Sequence, residues 1–399
     1  MTINNLKELQ LKSKLGKLLK IPVIGPILKL MIILEVIVLF PYILNIFFYG
    51  VIYPIPYHRQ MWSLLLSTFV FEQTLRAAIP ILLTAMGGTF NERAGVINIG
   101  LEGIMLVGAW VGVYTAIITG DPWFAALMAM IAGGILGLIH GILSITFKAE
   151  QITVGVAINL FALGLVKVLS ELVWQAQYSP QLDPEYKFQR LYLLKKPILG
   201  NILKYFTFSN YYTVPVIGPF LMKLPDIVTA LSNQHILILI ALGLIPILHI
   251  LLFKTSIGLR IRVIGENPQA AATAGIAVKR YQFFAVILSG VLAGLGGATL
   301  SIGNNSSFKE NMIGGRGFIA IAALIFGNWT IIGAATASLF FGLFIALNIN
   351  FNSAVDHFYV PKPFIQMIPY LATIFALSGF IGKSRPPKSI GKPYDPSED

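Results

Sequence analysis

The chain has 399 residues, of which 56% are hydrophobic and 12% charged. Soluble domains carry about 25% charged residues, so a mean hydropathy of +0.77 excludes an ordinary water-soluble protein. The net charge of +12 comes from lysines and arginines in the tails and between apolar runs, which points to orientation by the positive-inside rule rather than to nucleic acid.

The absence of cysteine excludes disulfides, a cysteine-ligated metal and a lipoprotein anchor. The apolar runs are continuous and about 20 residues long, which suits membrane helices and not the alternating segments of an outer-membrane barrel. The expected fold is all-α, a polytopic membrane protein with about ten transmembrane helices.

Residues 1–29 carry six lysines against Glu8, with Leu6, Leu9, Leu15, Leu18 and Leu19 at helical spacing. They read as a basic amphipathic segment on the inner leaflet, with no removable signal peptide. The transmembrane domain is expected over 30–381. Its first span is 30–53 and its second 62–88, where Glu72 and Arg76 are four apart and can pair before Pro80 breaks the helix. Spans three to five are 96–118, 123–147 and 152–174. The fourth carries Gly133, Gly137 and Gly141 for close helix packing, and the fifth carries Lys167 and Glu171, read as an internal pair. Residues 175–234 form an extracytoplasmic loop. Spans six and seven are 235–253 and 281–303, joined by a basic loop, 254–280, on the cytoplasmic side. Short spans follow at 314–328 and 330–350, then a last one at 364–381. The tail 382–399 reads as disordered and cytoplasmic, so both termini face the cytoplasm.

Two stretches carry the chemistry. In the first, Asn91 to Met105, a turn is expected over Phe90–Gly95, because Asn91, Glu92 and Arg93 are costly in lipid. Gly95 lets a helix restart, and Asn98 and Glu102, four apart, would share a face. Glycine-rich breaks at membrane depth are tolerated only against protein or a cavity. The segment therefore reads as discontinuous and pathway-lining, and the bland alternative is a carboxylate snorkelling at the interface. In the second, Gly258 to Ile276, Arg260, Arg262, Gly265 and Glu266 make a charged elbow. Asn267 or Glu266 caps a short helix begun by Pro268, Ala270 and Ala271 give it a small-residue surface, and Gly275 ends it. Such a segment is a hard knob that fits a groove.

These residues resemble a known group. TLRAAIPILLTAMGGTFNERAGVINIGLEGIMLVGA (Thr74–Ala109), KAEQITVGVAINLFALGL (Lys148–Leu165), the 258–276 segment and GRGFIAIAALIFGNW (Gly315–Trp329) resemble the transmembrane permeases of ABC importers for branched-chain amino acids, ribose-type sugars and nucleosides. They look most like the shorter permease of bacterial nucleoside importers. The resemblance implies that 258–276, with Arg260, Arg262, Gly265, Glu266, Asn267, Pro268, Ala270, Ala271 and Gly275, is the coupling helix that docks into an ATP-binding subunit. It implies that Asn98, Glu102 and Asn159 lie by the translocation path. The N-terminal extension and the 175–234 loop depart from the pattern.

The implied protein is the channel subunit of a cell-membrane importer, and not an enzyme. Its partners would be ATP-binding subunits, a second homologous permease, an extracytoplasmic binding protein, membrane lipid and a small-molecule substrate. No cofactor is expected on this chain, with ATP and Mg used by the partner. No GxxxxGK[ST] phosphate loop occurs, since Gly382-Lys383-Ser384 has Leu377 at the first glycine position. Leu288-Ser289-Gly290 sits inside an apolar span and reads as helix packing. The five histidines have no metal spacing, and His140 reads as a hydrogen-bonded residue between helices. A permease for sugars or branched-chain amino acids, or an ion-coupled secondary transporter using Glu102 or Lys167–Glu171, is the alternative.

Overall fold

The computed structural model describes residues 67–183, 234–354, 367 and 385–395. Contacts divide the chain into two units, 1–67 with 347–380 and 68–346 with 381–399. The helical bundle described below belongs to the second unit as far as residue 346. The expected segment 1–29, the span 30–53, the span 364–381 apart from Met367, and the loop beyond residue 183 lie outside the described residues.

The described helices are α1 (Thr68–Arg93), α2 (Leu101–Thr119), α3 (Pro122–Gly141), α4 (Gln151–Trp174), α5 (Ile236–Lys254), α6 (Ser256–Glu266), α7 (Pro268–Thr273), α8 (Val278–Ala298), α9 (Arg316–Phe326) and α10 (Ile331–Ala354). α3 and α8 each end in a wider π-type turn, Ile142–Thr146 and Thr299–Asn305. Seven of the helices are long and apolar enough to cross a membrane. Local chemistry sets their ends. Asp121 accepts the Trp123 amide at 2.8 Å ahead of Pro122, and α3 starts there. Glu150 does the same for α4 through the amides of Ile152 and Thr153. The Thr153 hydroxyl and amide hold its carboxyl below the usual range.

α8 is the hub, packed against α1, α2 and α3. The seam is made of glycine. A Cβ at Gly133 would lie 2.2 Å from the Gly290 carbonyl, one at Gly294 would lie 2.3 Å from the Ala129 carbonyl, and one at Gly297 would lie 2.0 Å from the Met105 carbonyl. In lipid, association rests on van der Waals contact and not on hydrophobic exclusion, so removing side chains lets the backbones gain it. This is the packing expected of Gly133 and Gly137, and it gives Ser289 and Gly290 the helix-packing role read from the sequence. Around this hub the buried core runs from Ile79 and Met86 through Met105 and Trp110 to Leu292 and Ile302.

The helices share two ends. The near end holds α6 and α7 between α5 and α8; the far end holds Arg76, His235 and Asn304. There the Asn304 side chain donates to the Arg76 carbonyl at 2.9 Å and meets His235 Nε2 at 3.1 Å. α8 runs from near to far. The chain then returns inward through a non-helical segment of bends and turns, 306–315, with left-handed backbone at Ser306, Asn311, Gly314 and Gly315, before α9 begins. At 11 residues α9 is about 16 Å long, half of the roughly 30 Å hydrocarbon core. The expected span 314–328 is thus a broken span, a half-length helix preceded by turns rather than by a full crossing.

Four expectations change. α1 continues through Pro80 to Arg93, with the Thr84 hydroxyl donating to the Pro80 carbonyl at 2.9 Å. Glu72 and Arg76 do pair, at 3.4 Å. Asn91 and Glu92 stay helical and buried among protein atoms, so the turn falls at Ala94–Gly95. Lys167 and Glu171 are not an internal pair: both lie exposed on α4, with no ion pair between them. Lastly, residues 385–395 are not a loose tail but lie bonded to the near end.

Candidate functional site

The site is built where two backbone breaks meet. The first is the stretch 94–100 between α1 and α2. Gly95, at φ +85°, turns the chain in the left-handed region that glycine favours. The next residues climb along α4. Backbone polar groups at this depth need partners, and side chains of α3 and α4 supply them. Gln151 Oε1 accepts the Ile97 amide at 2.7 Å, and His140 Nε2 meets the Ile97 carbonyl at 2.9 Å. Asn159 donates to the Ile99 carbonyl at 3.0 Å and accepts the Gly103 amide at 2.8 Å. Asn159 is eight residues into α4, so α2 begins about 12 Å beyond the start of α4.

Asn98 does not share a helical face with Glu102, because α2 begins only at Leu101. Its side-chain oxygen accepts the Gly100 amide at 2.9 Å and closes a local turn. Glu102, in the first turn of α2, points at the second break. Its Oε1 accepts the Gly315 amide at 2.7 Å and its Oε2 accepts the Gly317 amide at 2.6 Å. The start of α9 carries the free amides and partial positive charge of any helix N-terminus, and Glu102 caps it from another helix. The approach needs glycine, since a Cβ at Gly317 would lie 2.5 Å from the Glu102 Cα. Arg316 turns back to the carbonyls of Met312 and Ile313 at 3.1 and 2.8 Å.

The far half of the second break is tied to the start of the 175–234 loop. Ser179 and Leu182 donate their amides to the carbonyls of Phe308 and Ser306 at 2.9 and 2.8 Å, and the Glu310 amide donates to Gln177 at 2.9 Å. Tyr178 and Lys309 form an isolated antiparallel bridge. Trp174 lies between Trp110 and Phe308 in tilted contact, with ring centroids at 5.3 and 5.9 Å. The start of the loop, the aromatic cluster and the broken span are one connected structure.

At the near end the knob is two helices, not one. α6 holds Arg260, Arg262, Gly265 and Glu266. Arg260 reaches the Tyr281 hydroxyl, and Arg262 lies over the Phe253 ring at 5.2 Å. Asn267, rather than Glu266, caps α7 by accepting the Ala270 amide at 3.0 Å, with Pro268 next to it. Gly275, at φ +79°, follows its end. Glu266, Asn267, Ala270, Thr273 and Gly275 are exposed, whereas Pro268 and Ala271 are buried. Ala271 packs with Ile264 and Val278 inside the knob, so it offers no outward surface. Gly265 is pressed against α1, where a Cβ would lie 2.1 Å from the Arg93 carbonyl.

Sequence reasoning missed Gln151, Glu92 and Trp329. Gln151 is a buried amide on the same helical stripe as Asn159 and Ser170, polar positions on a mostly apolar helix, which is a readable signal. Glu92 accepts the Trp329 indole N–H, and Arg93 donates to the Trp329 carbonyl at 2.8 Å. These join residues more than 230 positions apart, and nothing local announces the pairing. No group of histidines and carboxylates able to hold a metal ion occurs among the described residues.

The comparisons agree with this architecture. The family described as branched-chain amino acid transport system, permease component, matches residues 70–377. The guanosine ABC transporter permease protein NupQ of Bacillus subtilis is 39% identical over 82% of this chain and 96% of its own. The nucleoside ABC transporter permease protein NupC of Lactococcus lactis is 35% identical over 79% and 93%. A putative glucose ABC transporter permease protein, TsgC13 of Haloferax volcanii, is 29% identical over 77% and 90%. No solved structure matches the chain. The glycine-seamed bundle, the broken span and the match along most of its length place the protein among the permease components of the branched-chain amino acid transport family, as a multi-pass membrane transport protein.

Proposed function

We propose that this chain is the channel-forming subunit of an ATP-driven importer for nucleosides. The substrate class rests on the two relatives above 30% identity, whose names specify guanosine for NupQ and nucleosides for NupC. The observation that carries the mechanism is the meeting of two backbone breaks at Glu102. Discontinuous helices whose starts converge inside a bundle are how transporters build a site that rigid halves can open to either side. Glu102, Asn159 and the 94–100 turn line that region, and Asn98 shapes it.

The near end is the cytoplasmic one, because Lys254, Arg260, Arg262, Lys279, Arg280, Lys388 and Lys392 gather there. With the spans expected from the sequence over 30–53 and 364–381, both termini then face the cytoplasm. An ATP-binding subunit, holding ATP and Mg, receives the exposed face of α7 and the Glu266–Asn267 corner. Exposed charges on a spanning helix are costly against lipid, so Lys167 and Glu171 support coverage of α4 by a second permease. An extracytoplasmic binding protein engages the far end. ATP closes the motor, the knob moves, and the breaks change which side they open to.

The test is purification of the tagged protein in mild detergent, followed by reconstitution with the subunits that accompany it. Stoichiometric ATP-binding and second permease subunits, with ATP-dependent uptake of labelled guanosine, are the expected result. Uptake of glucose instead would favour the sugar reading that TsgC13 raises. Uptake by the chain alone, driven by a proton gradient, would defeat the proposal and favour a secondary transporter working through Glu102.

A further inference from the structure

Residues 385–395 lie across the two stretches on which transport depends. α6 stops at Glu266 because Pro268 follows, and this leaves a specific gap. In a continuing helix the Ile264 carbonyl would accept the amide of residue 268, but proline has none. Ser389 fills it. Its Oγ lies 3.1 Å from the Ile264 carbonyl and 2.7 Å from the Gly265 carbonyl, and its amide donates to the Gly265 carbonyl at 3.0 Å. Two residues on, the Gly391 amide donates to the Gly95 carbonyl at 3.0 Å, at the foot of the climb toward Glu102.

The neighbouring contacts fix the segment along its length. The Arg385 amide donates to Asn328 Oδ1 at 2.9 Å, at the turn that ends α9. Ile390 packs on the α9–α10 core, and Tyr394 covers the knob core of Ile264, Ala271 and Val278. Asp395 pairs with Lys148 at the corner between α3 and α4. One short segment therefore touches the base of the knob, the first break and the near end of the broken span. Ser389 is buried.

We propose that residues 385–395 are a transmission strap, which carries displacement of the α6–α7 knob to the 94–100 segment, with Ser389 as the positioning residue. This deepens the reading of α6–α7 as the motor dock and rests on it. Without the strap the knob still receives the motor, since its outward face is untouched, but its movement reaches the path only through its packing on α1, α5 and α8, the Gly265–Arg93 contact among them.

The experiment uses the full complex in proteoliposomes and measures nucleoside imported per ATP hydrolysed. Ser389→Pro removes both the hydroxyl and the amide, and Ser389→Thr keeps both. Ser389→Pro is expected to lower the ratio about tenfold, the size of a typical coupling between sites, while ATP hydrolysis and subunit recovery hold. Ser389→Thr is expected to keep the ratio. An unchanged ratio in Ser389→Pro overturns the strap, as does a parallel fall of uptake and hydrolysis, which marks a merely structural role. If Ser389→Pro does not assemble, Ser389→Ala, which loses only the hydroxyl bonds, is read the same way, and an unchanged ratio again overturns it. The dock is tested separately by Ala270→Arg. If that variant keeps its ATP-binding subunit and its coupling, the docking reading fails, whatever Ser389 does.

Discussion

Glu102 reaches Gly317 across two helices and binds its amide at 2.6 Å, with Gly315 held by the other oxygen. The start of one half-helix is therefore closed by the carboxylate of another. Removing an acceptor from a buried amide costs about 1–3 kcal/mol. Glu102→Ala should weaken the junction by that order for each amide and abolish uptake, while Glu102→Gln, which keeps one oxygen acceptor, should lose less. Uptake in proteoliposomes, with recovery of the complex as control, checks it. Normal uptake in Glu102→Ala would remove the junction from the mechanism.

The glycine seam makes a stability prediction that can be scored inside one protein. Gly133→Ala would drive a Cβ to 2.2 Å from the Gly290 carbonyl, and overpacking of this kind costs about 1–3 kcal/mol. Gly243→Ala meets nothing within 4 Å and gains helix propensity of up to about 1 kcal/mol. Thermal unfolding in detergent should fall for the first and hold or rise for the second. Equal midpoints would contradict the seam.

Ala270 and Ala271 are adjacent in sequence and opposite in environment. Ala270→Arg adds a charge to the exposed face of α7 and should block the ATP-binding subunit while the permease stays folded. Ala271→Arg forces a guanidinium into the knob core with Ile264 and Val278, a buried and unpaired charge costing several kcal/mol. It should lower permease stability itself. Co-purification separates the two, because in the first variant only the motor is lost.

A chain without cysteine is its own background for cross-linking. Residues opposite each other in an antiparallel pair have Cα atoms about 4.5–5.5 Å apart, within disulfide range. Tyr178→Cys with Lys309→Cys should therefore oxidise readily. If the non-helical segment 306–315 moves relative to the start of the 175–234 loop during the cycle, uptake should stop on oxidation and return with reductant. Undiminished uptake by the oxidised protein would show that the two travel together.

Much of the fold was legible in the sequence because membrane helices announce themselves by long apolar runs. The eight expected spans from 62 to 350 all meet a helix, and Asn267, Pro268 and Gly275 punctuate α7 as their side-chain chemistry requires. What stayed hidden depended on partners far along the chain. Glu102 reads as a carboxylate in a span, but its ligands are amides of Gly315 and Gly317, and an amide has no sequence signature. Asn91 and Glu92 look costly only until α1 is seen buried in protein. The tail 385–395 is basic and proline-rich, which suggests disorder, yet the gap left by Pro268 gives Ser389 a place to bond.

The close approach of α8 to its neighbours has a consequence for how the machine can work. Helices whose backbones touch at Gly133, Gly290, Gly294 and Gly297 cannot slide past one another without carbonyls colliding, and so, on the proposed mechanism, α2, α3 and α8 are expected to move as one body. α4 meets the 99–103 stretch closely at Gly155 and Gly103, is bonded through Gln151, Asn159 and Ser170, and leaves its other face exposed. α9 is short, packs along α1 through Ala320, Ala323 and Leu324, and is capped by Glu102. On the proposed mechanism, those two are where movement is expected. Spectroscopic labels placed on α3 and α8 should keep a constant separation through the ATP cycle, while labels on α4 or α9 change theirs.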